Sequence, residues 1–205
     1  MPPAIHYDLL MQSCRDPSDP VARALAGALD AAARGRIEAP SPTLGLDGLR
    51  FRSLLAHHFP QLQDRMEADS CAGCHPLRSE EFDDLVALLL EHRSDASEAT
   101  EWLAHAIASA CMGGDHLYQD MGLPNRQALS DLLGTHFTRL FEKNVGNMKW
   151  KKFFYKQLCD RAEVRVCQAP SCQVCNDYLN CFGPEDDSVP STHAVPGGSA
   201  GGMPQ

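Results

Sequence analysis

The chain has 205 residues, which is enough for one well-buried core and leaves little room for a second domain. Hydrophobic residues make up 43% of it and charged residues 22%, close to the averages of globular proteins. The formal net charge of −9 disfavours non-specific nucleic-acid binding, which depends on Lys and Arg neutralising phosphates. We therefore expect a single globular domain that does not bind nucleic acid.

The N-terminal segment MPPAIHYDLLMQSCRDPSDP has neither the basic start nor the long apolar run of a secretory signal. No stretch approaches the roughly 18 uninterrupted apolar residues of a membrane-spanning helix. We therefore expect a cytoplasmic protein that does not contact a membrane. In a reducing compartment, nine cysteines indicate metal ligands or buried thiols and not disulfides.

Apolar residues recur at helical spacing along most of the chain, and strand-like alternation is scarce. Asp19 and Pro20 open an Ala-rich helix as its N-cap and first residue, and Ser79 caps a later helix. The pattern predicts an all-α fold, with further helices over residues 49–58, 80–92, 98–111, 125–141 and 148–159.

Two of these helices carry the same apolar pattern. Phe51, Leu54, Leu55, His58 and Phe59 have the spacing of a second set, Leu129, Leu132, Leu133, His136 and Phe137. A duplicated helical unit would explain the match. Leu-rich amphipathic helices also match by chance, and because a repeat should extend over a longer stretch, chance is the favoured interpretation.

Four cysteines are concentrated near the C-terminus. Cys167, Cys172, Cys175 and Cys181 have the spacing C-x4-C-x2-C-x5-C. Four thiolates can enclose an inorganic core, and the first three repeat the C-x4-C-x2-C run of plant-type ferredoxins. Structural zinc is the alternative, but its ligands usually come as two short pairs with a longer spacer between them. The spacing favours an iron–sulfur cluster over zinc, and zinc over unligated thiols.

A second cysteine motif, Cys71-Ala-Gly-Cys74-His75, spells the attachment string of c-type haem. Such attachment requires export, which the N-terminal segment does not support. We therefore interpret the motif as a loop with incidental thiols, with an accessory metal contact as the alternative. Cys111 and Cys159 lie at the ends of apolar helices and are expected to be small buried hydrophobes, with a position facing the cluster as the alternative.

The segment MKWKKFFYKQLC combines an apolar face with a basic one. Trp150, Phe153, Phe154 and Leu158 are expected in the core, whereas Lys149, Lys152 and Lys156 lie on another face. A lysine face is usually only solvated, but it can attract an oxyanion or an acidic partner. Asp115 and His116 follow two glycines and could contact a metal, although a helix cap is the favoured role of Asp115.

Composition changes at Pro184, after which the chain offers almost nothing to bury. We therefore expect a single helical domain over residues 1–183, with an irregular cluster-binding segment at 159–183 packed against the helix over 148–159. Residues 184–205 are expected to form a disordered tail.

The stretches CMGGDHLYQDMGL and NMKWKKFFYKQLC, together with the four-cysteine run, resemble the NifQ family of nitrogen fixation. This resemblance implies a carrier and not an enzyme, with no catalytic residues. It implies an iron–sulfur cluster of the 4Fe-4S or 3Fe-4S type, held by Cys167, Cys172, Cys175 and Cys181. The cluster would take up molybdenum, with molybdate as the source, for synthesis of the nitrogenase iron–molybdenum cofactor.

The implied partners are the nitrogenase iron protein (NifH) and the NifEN scaffold. Two other functions remain open on the residues alone, a ferredoxin-like electron carrier and a zinc-stabilised interaction module. The chain has no Gly-rich phosphate loop, nucleophile-elbow serine or H-E-x-x-H motif that would indicate an enzyme.

Overall fold

The computed structural model describes residues 6–37, 42–62, 78–163 and 178–185. Within these ranges the chain is helical, and the one β-type pairing is an isolated antiparallel bridge between Ile37 and Gly113. The expected all-α fold is confirmed. The helices are α1 (Tyr7–Gln12), α2 (Pro20–Ala33), α3 (Gly48–His58), α4 (Glu80–Glu91), α5 (Glu98–Cys111), α6 (Leu117–Asp120), α7 (Arg126–His136), α8 (Thr138–Lys143), α9 (Trp150–Arg161) and α10 (Tyr178–Phe182), with a 3-10 turn at Pro60–Leu62.

Side-chain caps fix where several of these helices begin. Asp19 accepts a hydrogen bond from the Val21 N–H at 2.9 Å, and Pro20 is the first residue of α2. Ser79 accepts from the Phe82 N–H at 3.2 Å and begins α4. Both caps satisfy backbone donors that have no partner within the helix, and both were predicted from the sequence.

The predicted helix over residues 125–141 is wrong as a single element, because it breaks at Phe137. That residue has φ −137° and ψ 47°, and its side chain is fully buried. The His136 carbonyl accepts from the Ser94 N–H at 2.8 Å, and the Ser94 and Thr138 hydroxyls lie 2.9 Å apart. The apolar periodicity continues across the break, so the pattern gave no sign of it.

The buried apolar side chains form one continuous core, in which α2 packs along α5. Gly27 makes a close approach possible. A Cβ atom at this position would lie 1.9 Å from the Met121 carbonyl oxygen and 2.8 Å from the Gly122 Cα atom. The backbone of α2 therefore lies directly against the turn after α6.

The structure contains two matching helical units. Helices α2 and α5 each have 14 residues, and α3 and α7 each have 11. Each boundary in the second pair follows its counterpart by 78 residues, as the starts of the helices show: Pro20 and Glu98, then Gly48 and Arg126.

Local geometry repeats at the same offset. Phe59 ends α3 with φ −131° and ψ 56°, close to the values at Phe137 after α7. Leu44 and its counterpart Gly122 both have positive φ, 55° and 63°. The match includes turns as well as helices, which a chance agreement of two Leu-rich helices does not explain. The structure therefore favours a duplicated unit, contrary to the interpretation that the sequence alone favoured.

The contact between the units is itself repeated. Gly27 lies against the backbone at Gly122, and its counterpart His105 donates a hydrogen bond from Nδ1 to the carbonyl of Leu44, at 3.1 Å. Leu44 is the counterpart of Gly122, so α2 and α5 each contact the same turn of the other unit. The two units therefore pack with approximate two-fold symmetry.

Helix α9 lies outside this repeat and packs against α4. The Tyr155 hydroxyl donates to Glu81, and Arg161 pairs with Glu91. Trp150, Phe153 and Phe154 are buried, as predicted. No helix within the described ranges is long and apolar enough to span a membrane.

Candidate metal centre

The structure describes one of the four predicted cluster ligands. Cys181 lies in α10, whereas Cys167, Cys172 and Cys175 fall in residues 164–177, outside the described ranges. Cys71, Cys74 and His75 of the second motif also fall outside them. Within those ranges no three His, Cys, Asp or Glu side chains gather to hold a metal ion. Cys181 and its neighbours are therefore the part of the candidate site that the structure describes.

Cys181 is held at the N-terminal end of α9. Its carbonyl oxygen accepts a hydrogen bond from the Lys149 N–H at 2.8 Å. The ring of Phe182 contacts the turn at Gly146, where an added Cβ would lie 3.2 Å away. The described part of the cysteine segment thus contacts the start of the predicted 148–159 helix at Lys149, and Cys181 lies in a short helix where irregular chain was expected.

An ion pair closes the C-terminal end of this segment. Arg126 donates from Nη1 to the Glu185 carboxylate at 2.6 Å, and the side chains are 21% and 8% exposed. The Tyr118 hydroxyl donates to the Glu185 carbonyl at 3.4 Å. We call Arg126 and Glu185 the C-terminal ion pair. Glu185 belongs to the predicted tail, so the ordered chain continues past the predicted boundary; residues 186–205 lie outside the described ranges.

A second ion pair lies beneath α9 and joins the two stretches that carry the family resemblance. Lys151 Nζ is 2.5 Å from Asp120 Oδ2 and donates to the Gly113 carbonyl at 2.8 Å. Asp120 is 1% exposed and Lys151 17%. Oδ1 of Asp120 has no hydrogen-bond partner within the described residues. We call Asp120 and Lys151 the buried ion pair.

Gly113 leaves room for that carboxylate. A Cβ atom there would lie 2.4 Å from Asp120 Oδ2, so any larger residue would collide with the buried ion pair. The Asp115 N–H also donates to Oδ2, at 3.2 Å. Asp115 is not the helix cap, because His116 occupies that position before α6. The His116 ring stacks on the ring of Tyr118, with centroids 6.1 Å apart.

Sequence reasoning missed the buried ion pair. Lys151 lies in a lysine-rich stretch, and its neighbours Lys152 and Lys156 are exposed, as expected for a solvated face. Lys151 precedes the buried Phe154 by three residues, which places the two on one side of α9, and this spacing is the signal that could have found the pair. A lysine that close to a buried apolar face needs a partner if it is to point inward.

The remaining described cysteines divide into two kinds. Cys111 is buried, and its burial raises the pKa of the thiol to about 12, so the thiolate that a metal requires is disfavoured. This agrees with the expected small buried hydrophobe. Cys159 is only half-buried, so the expected burial is wrong for this residue. Cys14 is also a half-buried free thiol, and burial raises its pKa.

The fold and this site define a helical protein of two repeated units that carries a C-terminal cysteine segment on its last long helix. A family model described as NifQ matches residues 24–183. The chain therefore belongs to the NifQ family, whose name associates it with nitrogen fixation. No solved structure matches the chain.

Curated relatives agree with the family model. Protein NifQ of Azotobacter vinelandii is 41% identical over 152 residues, which cover 69% of this chain and 78% of that protein. A NifQ homolog of Sinorhizobium fredii is 34% identical over 185 residues, which cover 86% of this chain and 76% of that protein. Protein NifQ of Rhodobacter capsulatus is 38% identical over 101 residues, or 49% of this chain and 56% of that protein.

Proposed function

We propose that this protein binds an iron–sulfur cluster through Cys167, Cys172, Cys175 and Cys181, and donates molybdenum for synthesis of the nitrogenase iron–molybdenum cofactor. The observation that carries the proposal is the donor set. Four thiols lie close together in the sequence, and the described one is fixed to the folded domain. Thiolates are the usual ligands of iron–sulfur clusters and suit soft metals.

The other described thiols fit the site less well. Cys111 is buried with a raised pKa, so a thiolate there is costly. Cys14 lies before the first repeated unit, next to Arg15, whose N–H donates to the His58 carbonyl at the end of α3. The cysteine segment, in contrast, continues from α9 and returns to its N-terminal end at Cys181. These placements support assigning the cluster to the four C-terminal cysteines.

A donor must present its cargo, and the described neighbours of Cys181 agree with an accessible site. Tyr178 and Leu179 are exposed although both are apolar, and the adjoining helix presents Lys152 and Lys156 to solvent. Lysines in such a position can attract molybdate, an oxyanion, and can accelerate encounter with an acidic partner. The proposed partners are the nitrogenase iron protein and the NifEN scaffold, and the chain acts as a carrier and not as an enzyme.

The metal content of protein purified without oxygen tests the proposal. We expect a coloured protein with iron and acid-labile sulfide, together with molybdenum after exposure to molybdate. Zinc without visible absorption would select an interaction module. Iron with reversible one-electron chemistry and no transfer of molybdenum would select an electron carrier.

Single cysteine variants then locate the cluster. We expect Ala at Cys167, Cys172, Cys175 or Cys181 to reduce iron content, because a missing thiolate exposes an iron to solvent and oxygen. One of the four can retain iron and lose molybdenum, if that thiolate meets molybdenum instead. Cys71→Ala is the matched control and should keep both metals. Equal metal in all five variants would contradict the assignment.

A further inference from the structure

Arg126 connects two segments that are distant in the sequence. It is the first residue of α7, and its guanidinium donates to the Glu185 carboxylate at 2.6 Å. Nη2 of the same side chain donates to the Met148 carbonyl at 2.8 Å and to Asn147 Oδ1 at 3.0 Å. One side chain thus holds both the end of the cysteine segment and the turn before α9.

The turn that Arg126 holds is the one that binds Cys181. Met148 is followed directly by Lys149, whose N–H donates to the Cys181 carbonyl at 2.8 Å. Cys181 is therefore fixed at two places: its own carbonyl is bound by the Lys149 amide, and the chain four residues further on is bound through Glu185. Both depend on Arg126, since it contacts Glu185 directly and orders the backbone next to Lys149.

Helix α10 cannot hold this position alone. It has 5 residues, far fewer than an isolated helix needs to be stable in water. Tyr178 and Leu179 are exposed, so its apolar packing comes mainly from the Phe182 side. Charge-assisted hydrogen bonds between partly buried groups are stronger than neutral ones. The C-terminal ion pair is thus a principal contact that fixes the segment.

We propose that Arg126 and Glu185 are positioning residues for Cys181. They hold the fourth thiolate at the N-terminal end of α9, so that the last ligand is in place before a cluster is assembled. The part of this proposal that concerns the cluster rests on the proposed function. The part that concerns the position of Cys181 does not, and it can be measured on metal-free protein.

Thiol alkylation of the full-length, metal-free chain tests the position. We expect Arg126→Gln and Glu185→Gln to accelerate modification of Cys181 by iodoacetamide about tenfold, because loss of a charge-assisted contact shifts local opening by roughly that factor. Rates at Cys14 and Cys159, read from the same digest by mass spectrometry, should not change. Arg50→Gln is the control, because it removes an arginine ion pair, to Glu101 at 2.5 Å, that joins α3 to α5 and does not involve the cysteine segment.

Two results would overturn the inference. One is an unchanged rate at Cys181 in Glu185→Gln, a variant that alters no helix and should therefore fold even if Arg126→Gln does not. The other is an equal acceleration at Cys14, Cys159 and Cys181, which would indicate general loosening.

Spectroscopy of the reconstituted protein tests the consequence for the cluster. We expect Arg126→Gln to keep most of its iron on assembly, to lose it several-fold faster to a chelator, and to show a changed electron paramagnetic resonance signal. Arg126→Lys should be intermediate, since it keeps the charge but not the fork that reaches Asn147 and Met148. If wild-type protein takes up no iron, the proposed function fails and the alkylation result still stands. If wild-type protein binds iron and Cys181 alkylation is unchanged, only the positioning role fails.

Discussion

The two repeated units, residues 20–62 and 98–140, match in the lengths of their two longest helices and in the turns at Leu44/Gly122 and Phe59/Phe137, but have different polar side chains. Where the second unit has Asp120 and Arg126, the first has Pro42 and Gly48 at the same offset. Both residues of the second unit reach elements outside the repeat, Asp120 through Lys151 on α9 and Arg126 through Glu185. Of the two units, only the second contacts the described part of the cysteine segment, and Lys149 and the turn at Gly146, outside the repeat, add further contacts.

The two units therefore share their apolar positions and differ in their charged ones. The apolar positions of α3 and α7 match, and so do the histidine and phenylalanine at their ends, because both units must bury the same face. The charged residues do not match, because only the second unit is followed by α9. The two units thus share a buried face, and Asp120 and Arg126 of the second unit add ion pairs to α9 and to Glu185.

The largest expected effect is at the buried ion pair. Lys151→Met leaves the Asp120 carboxylate, 1% exposed, without its cation and should reduce the free energy of unfolding by about 3–5 kcal/mol. Urea denaturation of metal-free protein measures this. Lys152→Met, on the exposed face next to it, is the control and should change stability by less than about 0.5 kcal/mol. Equal losses in the two variants would show that Asp120 does not depend on Lys151.

The second prediction concerns how stability depends on pH through His58 and His136, which occupy matching positions in the two units. Burial lowers the pKa of His58 from 6.5 to about 4, and it also lowers the pKa of its counterpart His136. Below pH 6.5 the unfolded chain binds a proton at His58 that the folded chain does not bind. The free energy of unfolding should therefore be highest above pH 6.5 and decrease by about 3 kcal/mol as the pH falls to 4.

Denaturation at several pH values measures the slope, and His58→Gln and His136→Gln divide it between the units. His58 should account for more of it, because Nε2 of its ring, 5% exposed, has no hydrogen-bond partner within the described residues. His136, in contrast, shares a hydrogen bond of 2.9 Å with the Thr100 hydroxyl. An unchanged slope in His58→Gln would contradict this assignment.

A smaller loss is expected at Gly113. Its counterpart Gly35 has φ 67° and open space around it, so the first unit uses glycine for backbone conformation. Gly113 instead leaves room for Asp120, and Gly113→Ala should cost about 1–3 kcal/mol through that collision. Gly114→Ala meets nothing within 4 Å and is the control. Thermal unfolding compares them, and similar midpoints would show that Asp120 moves aside easily.

The smallest effect on stability is expected at the lysine face. Replacing Lys149, Lys152 and Lys156 by Gln should leave the unfolding free energy within about 0.5 kcal/mol, since exposed ion pairs such as Lys156–Asp160 contribute little. The rate of molybdenum transfer at low ionic strength should fall, because exposed charges act on encounter. An unchanged rate would assign this face to solubility alone.

The sequence by itself determined the helical class, several helix starts and the apolar residues of α9. These follow from local chemistry, since caps and 3.6-residue periodicity act within a few residues of the chain. It also singled out Cys167, Cys172, Cys175 and Cys181 as candidate ligands, because clustered thiols stand out without any fold.

Only the tertiary structure decided the break at Phe137, the duplicated unit and the two ion pairs. The break depends on Ser94, which binds the His136 carbonyl from another part of the chain. Lys151 and Arg126 likewise meet partners far away in the sequence, and their own neighbourhoods resemble ordinary surface segments. A buried charge is stable only where a partner from elsewhere reaches it, so packing and not local pattern fixed the surroundings of Cys181.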